Sequence, residues 1–235
     1  MNPRFKYKNH INYPELKSYT DPTGHREYYT PFGSTTSVTT ILSTLPHPEL
    51  DAWRERLGDE EADRITEEAA AIGSAMHDML ESYVRDTSRE TLDTPEEKMA
   101  EEMFRCLKRR GLRRLSEIWG VEVCLYCNNL FAGRTDLIGV YGGKRSIIDY
   151  KTSIWRKKEK YIENYKHQIA AYAIAHEELF GAGENEIEQG VILVGIRPHV
   201  EYNLPAKIQV EIMDKEELKH YKLSWMDIVE DFYGE

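Results

Sequence analysis

The strongest periodic signal in the chain runs from about Asp59 to Arg85. There Ala69, Ile72, Met76, Met79, Leu80 and Tyr83 recur at three- and four-residue intervals and predict an amphipathic helix with one apolar face. Gly73 and His77 share a face of that helix, where the missing side chain lets another chain approach closely. Ahead of it, Ser37 opens a short helix to about Leu45, Pro46-His47-Pro48 breaks the pattern, and a second helix runs through Trp53. Thr94-Pro95-Glu96-Glu97 reads as the capped start of a helix reaching about Arg110. From about Glu117 to Tyr150 the chain reads as strands, and Gly142-Gly143 marks a tight turn between two of them. A helix carrying Gln168 and Tyr172 follows and ends at Gly181. Gly190–Arg197 and Lys207–Met213 read as two further strands. Asp214 then caps a last helix with Leu218, Tyr221, Leu223, Trp225 and Val229 available for packing. Near the N-terminus, Lys17 to Thr30 predicts a small hairpin around Asp21-Pro22-Thr23-Gly24, with Tyr19, Tyr28 and Tyr29 on its arms.

Composition narrows the setting. The 235 residues suffice for one or two domains with a substantial core, and 40% hydrophobic residues fit a globular protein. No apolar run approaches the roughly 18 residues of a membrane span. The polar start, Met1-Asn2-Pro3-Arg4, lacks a signal-peptide core. Three cysteines form no even disulfide framework, so a reducing interior, by default the cytoplasm, is expected. The net charge of −10 argues against a protein that coats nucleic acid, but the charge is uneven. Lys144 to Lys160 carries seven basic residues against two acids, whereas Glu211 to Glu235 carries eight acids against three lysines. The local basic stripe, with Arg156, Lys157 and Lys158, is either a nucleic-acid contact or a solvated helix start. Lys108, Arg109, Arg110, Arg113 and Arg114 form a second cluster, either a further groove wall or an ordinary helix end.

The candidate chemistry gathers around Asp149-Tyr150-Lys151. On a strand entered through Ile147-Ile148, Asp149 and Lys151 project from the same face. A hairpin through Gly142-Gly143 sets Asp136 beside Asp149. Paired carboxylates suit hard ions such as Mg²⁺ or Mn²⁺, and a nearby lysine suits charge developing on a phosphate. The bland alternatives are an edge-strand ion pair for Asp149 and Lys151, a turn cap for Asp136 and a satisfied core histidine for His77. Cys124-x-x-Cys127 has no second Cys/His pair at zinc spacing and reads as strand packing.

The ordered motifs Gly73-Ser74-Ala75-Met76-His77, Gly133-Arg134-Thr135-Asp136, Asp149-x-Lys151 and Gln168-x-x-x-Tyr172, preceded by Ser37-Val38-Thr39-Thr40-Ile41-Leu42, resemble the PD-(D/E)XK nuclease superfamily in its RecB-like exonuclease branch. The likeness runs from about Ser37 to Tyr172. It implies an α/β, restriction-endonuclease-like core: a central mixed β-sheet flanked by helices, with an N-terminal hairpin and a helical layer over the active site. As one domain, 1–36 would be the hairpin extension, 37–114 the helical layer, 115–213 the catalytic sheet and helix, and 214–235 the C-terminal helix. By the same resemblance Asp136, Asp149, His77 and the Tyr150 carbonyl would bind Mg²⁺ or Mn²⁺, with Glu122 a further possible ligand. Lys151 would be the catalytic lysine, and Gln168 and Tyr172 would orient the site. The branch members with an iron–sulfur cluster need four cysteines, so none is expected with three.

The resulting expectation is a metal-dependent DNA exonuclease in replication, recombination or repair, acting on single strands or DNA ends in a bacterial or virus-infected cell. Arg134 either approaches the phosphate or flanks its strand, while Trp155 is the aromatic best placed to stack on a base. The alternatives are a non-catalytic nucleic-acid-binding or assembly factor on the same fold, and a structure-specific endonuclease. The helical layer bearing His77 is expected to arch over the site and admit a threaded strand.

Overall fold

The computed structural model describes residues 2, 4–8 and 11–234; Met1 and Pro3 of the polar N-terminal stretch, and Glu235, lie outside them. The central sheet has six strands in the order β1-β5-β6-β7-β8-β9: β1 Lys6–Tyr7, β5 Leu115–Cys127, β6 Phe131–Tyr141, β7 Lys144–Ser153, β8 Gln189–Ile196 and β9 Lys207–Met213. β5, β6 and β7 form an antiparallel meander, β7 and β8 are parallel, and β9 returns antiparallel to β8. The sheet is mixed, as expected. The parallel step needs a crossover helix, supplied by α5 (Glu163–Phe180).

Helices cover both faces. On one, α3 (Asp59–Arg85) and α4 (Pro95–Arg109) bury Ile72, Met76, Leu80, Met103 and Leu107 against Leu137, Ile148 and Leu193. On the other, α1 (Val38–Ser43), α5 and α6 (Lys215–Tyr233) pack Ile41, Ile169 and Trp225 against Phe131, Ile138 and Ile147. Covered on both sides, the middle of β7 becomes an unbroken buried run, Ser146–Tyr150. Its Tyr141↔Lys144 hairpin closes through Gly142 and Gly143, both with positive φ (61° and 86°), the conformations that a two-residue hairpin turn demands. α2 (Pro48–Leu57) buries none of its residues. It leads from the α1 side of the sheet to the start of α3.

Several details depart from the sequence expectation. The N-terminal hairpin, β2 (Lys17–Thr20) with β3 (Arg26–Thr30), gains a third strand, β4 (Gly33–Thr36). These four small polar residues carry too little apolar alternation to stand out. β1 pairs in parallel with β5 over two residues, below what periodicity can detect. Leu223 is 64% exposed rather than packed, because it lies off the α6 stripe of Leu218, Tyr221, Trp225 and Val229. Of the second basic cluster, Lys108 sits over the Tyr83 ring and Arg114 over Tyr141 and against Gly142, at the turn end of the hairpin. Those two side chains brace the fold far from Asp136. Cys124 and Cys127 are free thiols buried in separate apolar clusters.

His176, fully buried on α5, makes the fold pH-sensitive. Its Nε2 lies 3.3 Å from the Tyr13 hydroxyl, Trp119 and Phe180 surround the ring, and burial lowers its pKa to about 4 from the ordinary 6.5. Between those values the unfolded chain takes up a proton that the folded chain refuses, so stability falls as the pH drops. Going from pH 7.5 to 5, this residue alone should cost about 2 kcal/mol. Urea denaturation at the two pH values should show that component in the native chain and lose it in His176→Phe.

Candidate active site

The β6–β7 ladder runs from the glycine turn as far as Leu137↔Ile148. The next facing residues are Asp136 and Asp149, and there the ladder gives way. The Tyr150 N–H donates to Asp136 Oδ2 at 2.6 Å, so a side chain takes the place of a backbone acceptor at this point. β7 continues past the end of that ladder, paired with β8 up to Ser153.

On the other flank of β6, the pairs Val121↔Leu137 and Val123↔Thr135 bracket Glu122 and set it alongside Asp136. Glu122 has φ of 51°, a left-handed conformation unusual for a non-glycine residue within a strand. Such strain persists only where the surroundings enforce it, and it tends to mark functional positions. From α3, His77 Nδ1 comes within 3.4 Å of Asp136 Oδ1. One ligand atom each from His77, Glu122 and Asp136 lies within 4.8 Å of the others. They line a cleft of ≈390 Å³ that also takes in Gly73, Glu81 and Arg134. A larger cavity of ≈640 Å³ between α3 and α4 lies apart from this cluster.

Asp149 stands outside that three-residue set. It is 2% exposed, and Lys151 Nζ lies 2.7 Å from its Oδ2, close enough for an ion pair but without hydrogen-bond alignment. Lys151 instead donates to Gln168 Oε1 at 2.9 Å, and Gln168 Nε2 donates to the Tyr172 hydroxyl at 3.3 Å. The Tyr172 ring rests on Gly133, where a Cβ would come within 2.7 Å of it. Gln168 and Tyr172, both buried on α5, therefore form a relay that seats the lysine against β6. Gly133→Ala should force the ring aside, destabilise the fold by about 1–3 kcal/mol and displace Lys151. Chemical denaturation would measure the first effect and cleavage rate the second.

Burial dominates the electrostatics of Glu122 and Asp149, with neighbouring acids adding to it. Burial, reinforced by Asp136 and Glu81, pushes the Glu122 carboxyl up to about 7 despite His77 and Arg134. Burial also pushes Asp149 up to about 6, with Lys151 opposing and Asp136 adding to the shift. His77 feels burial downward, yet its bond to Asp136 and the field of both aspartates prevail and raise it. Lys151 is likewise raised: its partners Asp149 and Asp136 outweigh burial. An imidazole nitrogen and carboxylate oxygens this close fit a hard divalent cation.

The remaining predicted residues lie around this centre. The Tyr150 ring is buried toward α3, edge-on to His77 at 5.8 Å, with its hydroxyl lacking a hydrogen-bond partner among the described residues. Arg134 is exposed on the cleft wall. Trp155, 56% exposed, stacks on His199 at 3.8 Å between ring centres, a pairing the sequence did not signal. Arg156 lies 3.9 Å from Glu211, Lys158 is exposed, and the Lys157 backbone is held at both N–H and C=O by the Gln209 side chain. The strain at Glu122 had no sequence signal either, since Val121-Glu122-Val123 reads as ordinary strand alternation.

Among solved structures, a protein from Eubacterium rectale provisionally described as an exonuclease aligns at 13% identity, covering 69% of this chain and 68% of its own, with a TM-score of 0.44. No curated protein matches the chain. The profile of the PD-(D/E)XK nuclease superfamily matches residues 91–227, a span that holds Glu122, Asp136, Asp149, Lys151, Gln168 and Tyr172 but leaves His77 upstream. That match covers more than half of the chain, which therefore belongs to the PD-(D/E)XK nuclease superfamily.

Proposed function

We propose that this nuclease is an exonuclease of the RecB-like branch, hydrolysing DNA from free ends and working as one domain. The observation that carries the reading is the convergence of His77, Glu122 and Asp136 on one point beside the Asp149–Lys151 pair. His77, Glu122, Asp136 and Asp149, with the Tyr150 carbonyl, would hold Mg²⁺ or Mn²⁺. When bound, such an ion polarises a phosphodiester and favours an oxygen nucleophile at neutral pH.

The chain's own groups supply the rest. Lys151, aimed by Gln168 and charged under the field of two aspartates, orients the attacking water and meets the negative charge that develops on the phosphoryl oxygens. Asp136 fixes the Tyr150 amide and, through it, the parting of the two strands. Arg134 on the cleft wall is placed to meet a phosphate, and Trp155 with Arg156, Lys157 and Lys158 extends the surface along the strand that carries Lys151. α3 bears His77, α2 leads into α3 from the α1 side, and Glu49 of α2 meets Lys160 beyond β7. This arrangement supports an arch that selects strands with an end.

The test is cleavage of end-labelled linear and covalently closed single-stranded DNA in Mn²⁺, with and without chelator. Chelator-sensitive loss of the linear form alone is expected. Equal cutting of circles would make the protein an endonuclease, and no cleavage at all would leave a nucleic-acid-binding factor.

A further inference from the structure

A groove of ≈670 Å³ opens between α2 and the segment that follows β7, and the cleavage reading assigns no role to its aromatic residues. Trp53 of α2 and Tyr161 and Tyr165 of the opposing segment supply its rings; Lys157, Lys160 and Glu49 supply its charges. Glu49 is engaged by Lys160, so its charge is met within the groove. Lys160 Nζ also lies 4.8 Å from the Tyr161 ring centre, and Lys157 Nζ lies 5.8 Å from that of Tyr165.

Two further observations give these rings a direction. Tyr165 borders the candidate active site, since Lys151 Nζ stands 5.0 Å from its ring centre. α2 contributes no buried residue to the core, and its Leu50 is 56% exposed, as is 44% of Tyr161 across the groove. Trp53 is half-buried and Tyr165 packs against the core, so Leu50 and Tyr161 are the parts of the wall left open to a ligand.

Unpaired bases offer π faces to aromatic rings, and the phosphates between them offer anions to ammonium groups; a duplex keeps its base faces stacked internally. The volume falls within the roughly 300–1,000 Å³ of pockets that enclose small molecules, room for about one or two nucleotides. We infer that the groove is a single-strand subsite in which Trp53 and Tyr161 stack on bases of the DNA strand next to the phosphate at Lys151. This inference rests on the proposed nuclease reading and deepens it by naming where the unpaired strand lies.

The experiment measures binding without turnover: fluorescence anisotropy of a labelled oligothymidine of about ten nucleotides, with chelator present. Trp53→Ala and Tyr161→Ala should each weaken binding about tenfold, the loss expected for one base-stacking ring, while Trp53→Phe restores most of it. Two adjacent abasic residues should weaken binding by the native chain more than they weaken binding by either alanine variant, which has one ring left to lose a base. Native-like affinity in both alanine variants, with unchanged thermal melting, would overturn the inference. So would indifference to abasic positions, an equal loss with blunt duplex, or no oligonucleotide binding by the native chain. Cleavage by the native chain in Mn²⁺ is assayed separately, so a missing nuclease activity and a missing subsite give different results.

Discussion

Asp136→Asn should abolish most cleavage while leaving the fold intact. Asparagine keeps a side-chain oxygen able to accept the Tyr150 N–H that Asp136 now takes at 2.6 Å, so the parting of β6 and β7 should survive. What disappears is a negative charge next to His77 and Glu122, the charge proposed above to hold the divalent cation. A fall in kcat/KM of about 10³-fold, roughly 4 kcal/mol of transition-state stabilisation, is expected. Single-turnover kinetics in saturating Mn²⁺ would measure it, and an unchanged urea midpoint would separate it from unfolding. Activity within tenfold of the native chain would remove Asp136 from the proposed machinery.

Glu122→Gln should produce effects of opposite sign on stability and on metal affinity. Without metal, the native carboxyl titrates near 7 rather than at its ordinary 4.5, because burial and the neighbouring acids disfavour its charge. Between those values the folded chain keeps a proton that the unfolded chain releases, so stability falls as pH rises and the deficit is complete above 7. Glutamine escapes it. Discounted for the partial exposure of Glu122, the variant should be about 1–2 kcal/mol more stable than the native chain at pH 8, with little difference at pH 4.5. Its Mn²⁺ affinity, read by calorimetry, should fall at least tenfold. A variant less stable than the native chain at pH 8 and equally avid for Mn²⁺ would show that Glu122 serves the strand and not the cation.

How much of this was readable beforehand depends on how local the cause was. The helix ends of α3, the glycine hairpin, the strand through Ile147-Ile148 and the Asp214 cap follow from short-range rules, and they appear within a residue or two of the expected places. The Asp149-x-Lys151 face also follows from strand geometry. The contribution of His77 depended on family resemblance, because a histidine on a mostly apolar helix face carries no local signal. The left-handed backbone of Glu122, the seat of Tyr172 on Gly133 and the stacking of Trp155 on His199 each join residues distant in sequence. Only the assembled sheet and its crossover helix create them.

The path from Lys151 through Gln168 and Tyr172 to Gly133 couples the ammonium's aim to how firmly the crossover helix is docked on the sheet. A small loosening of α5 on its buried side, remote from any phosphate, would then appear as a slower chemical step at unchanged substrate affinity. Turnover number would then become a sensitive gauge of how tightly α5 is seated on the sheet.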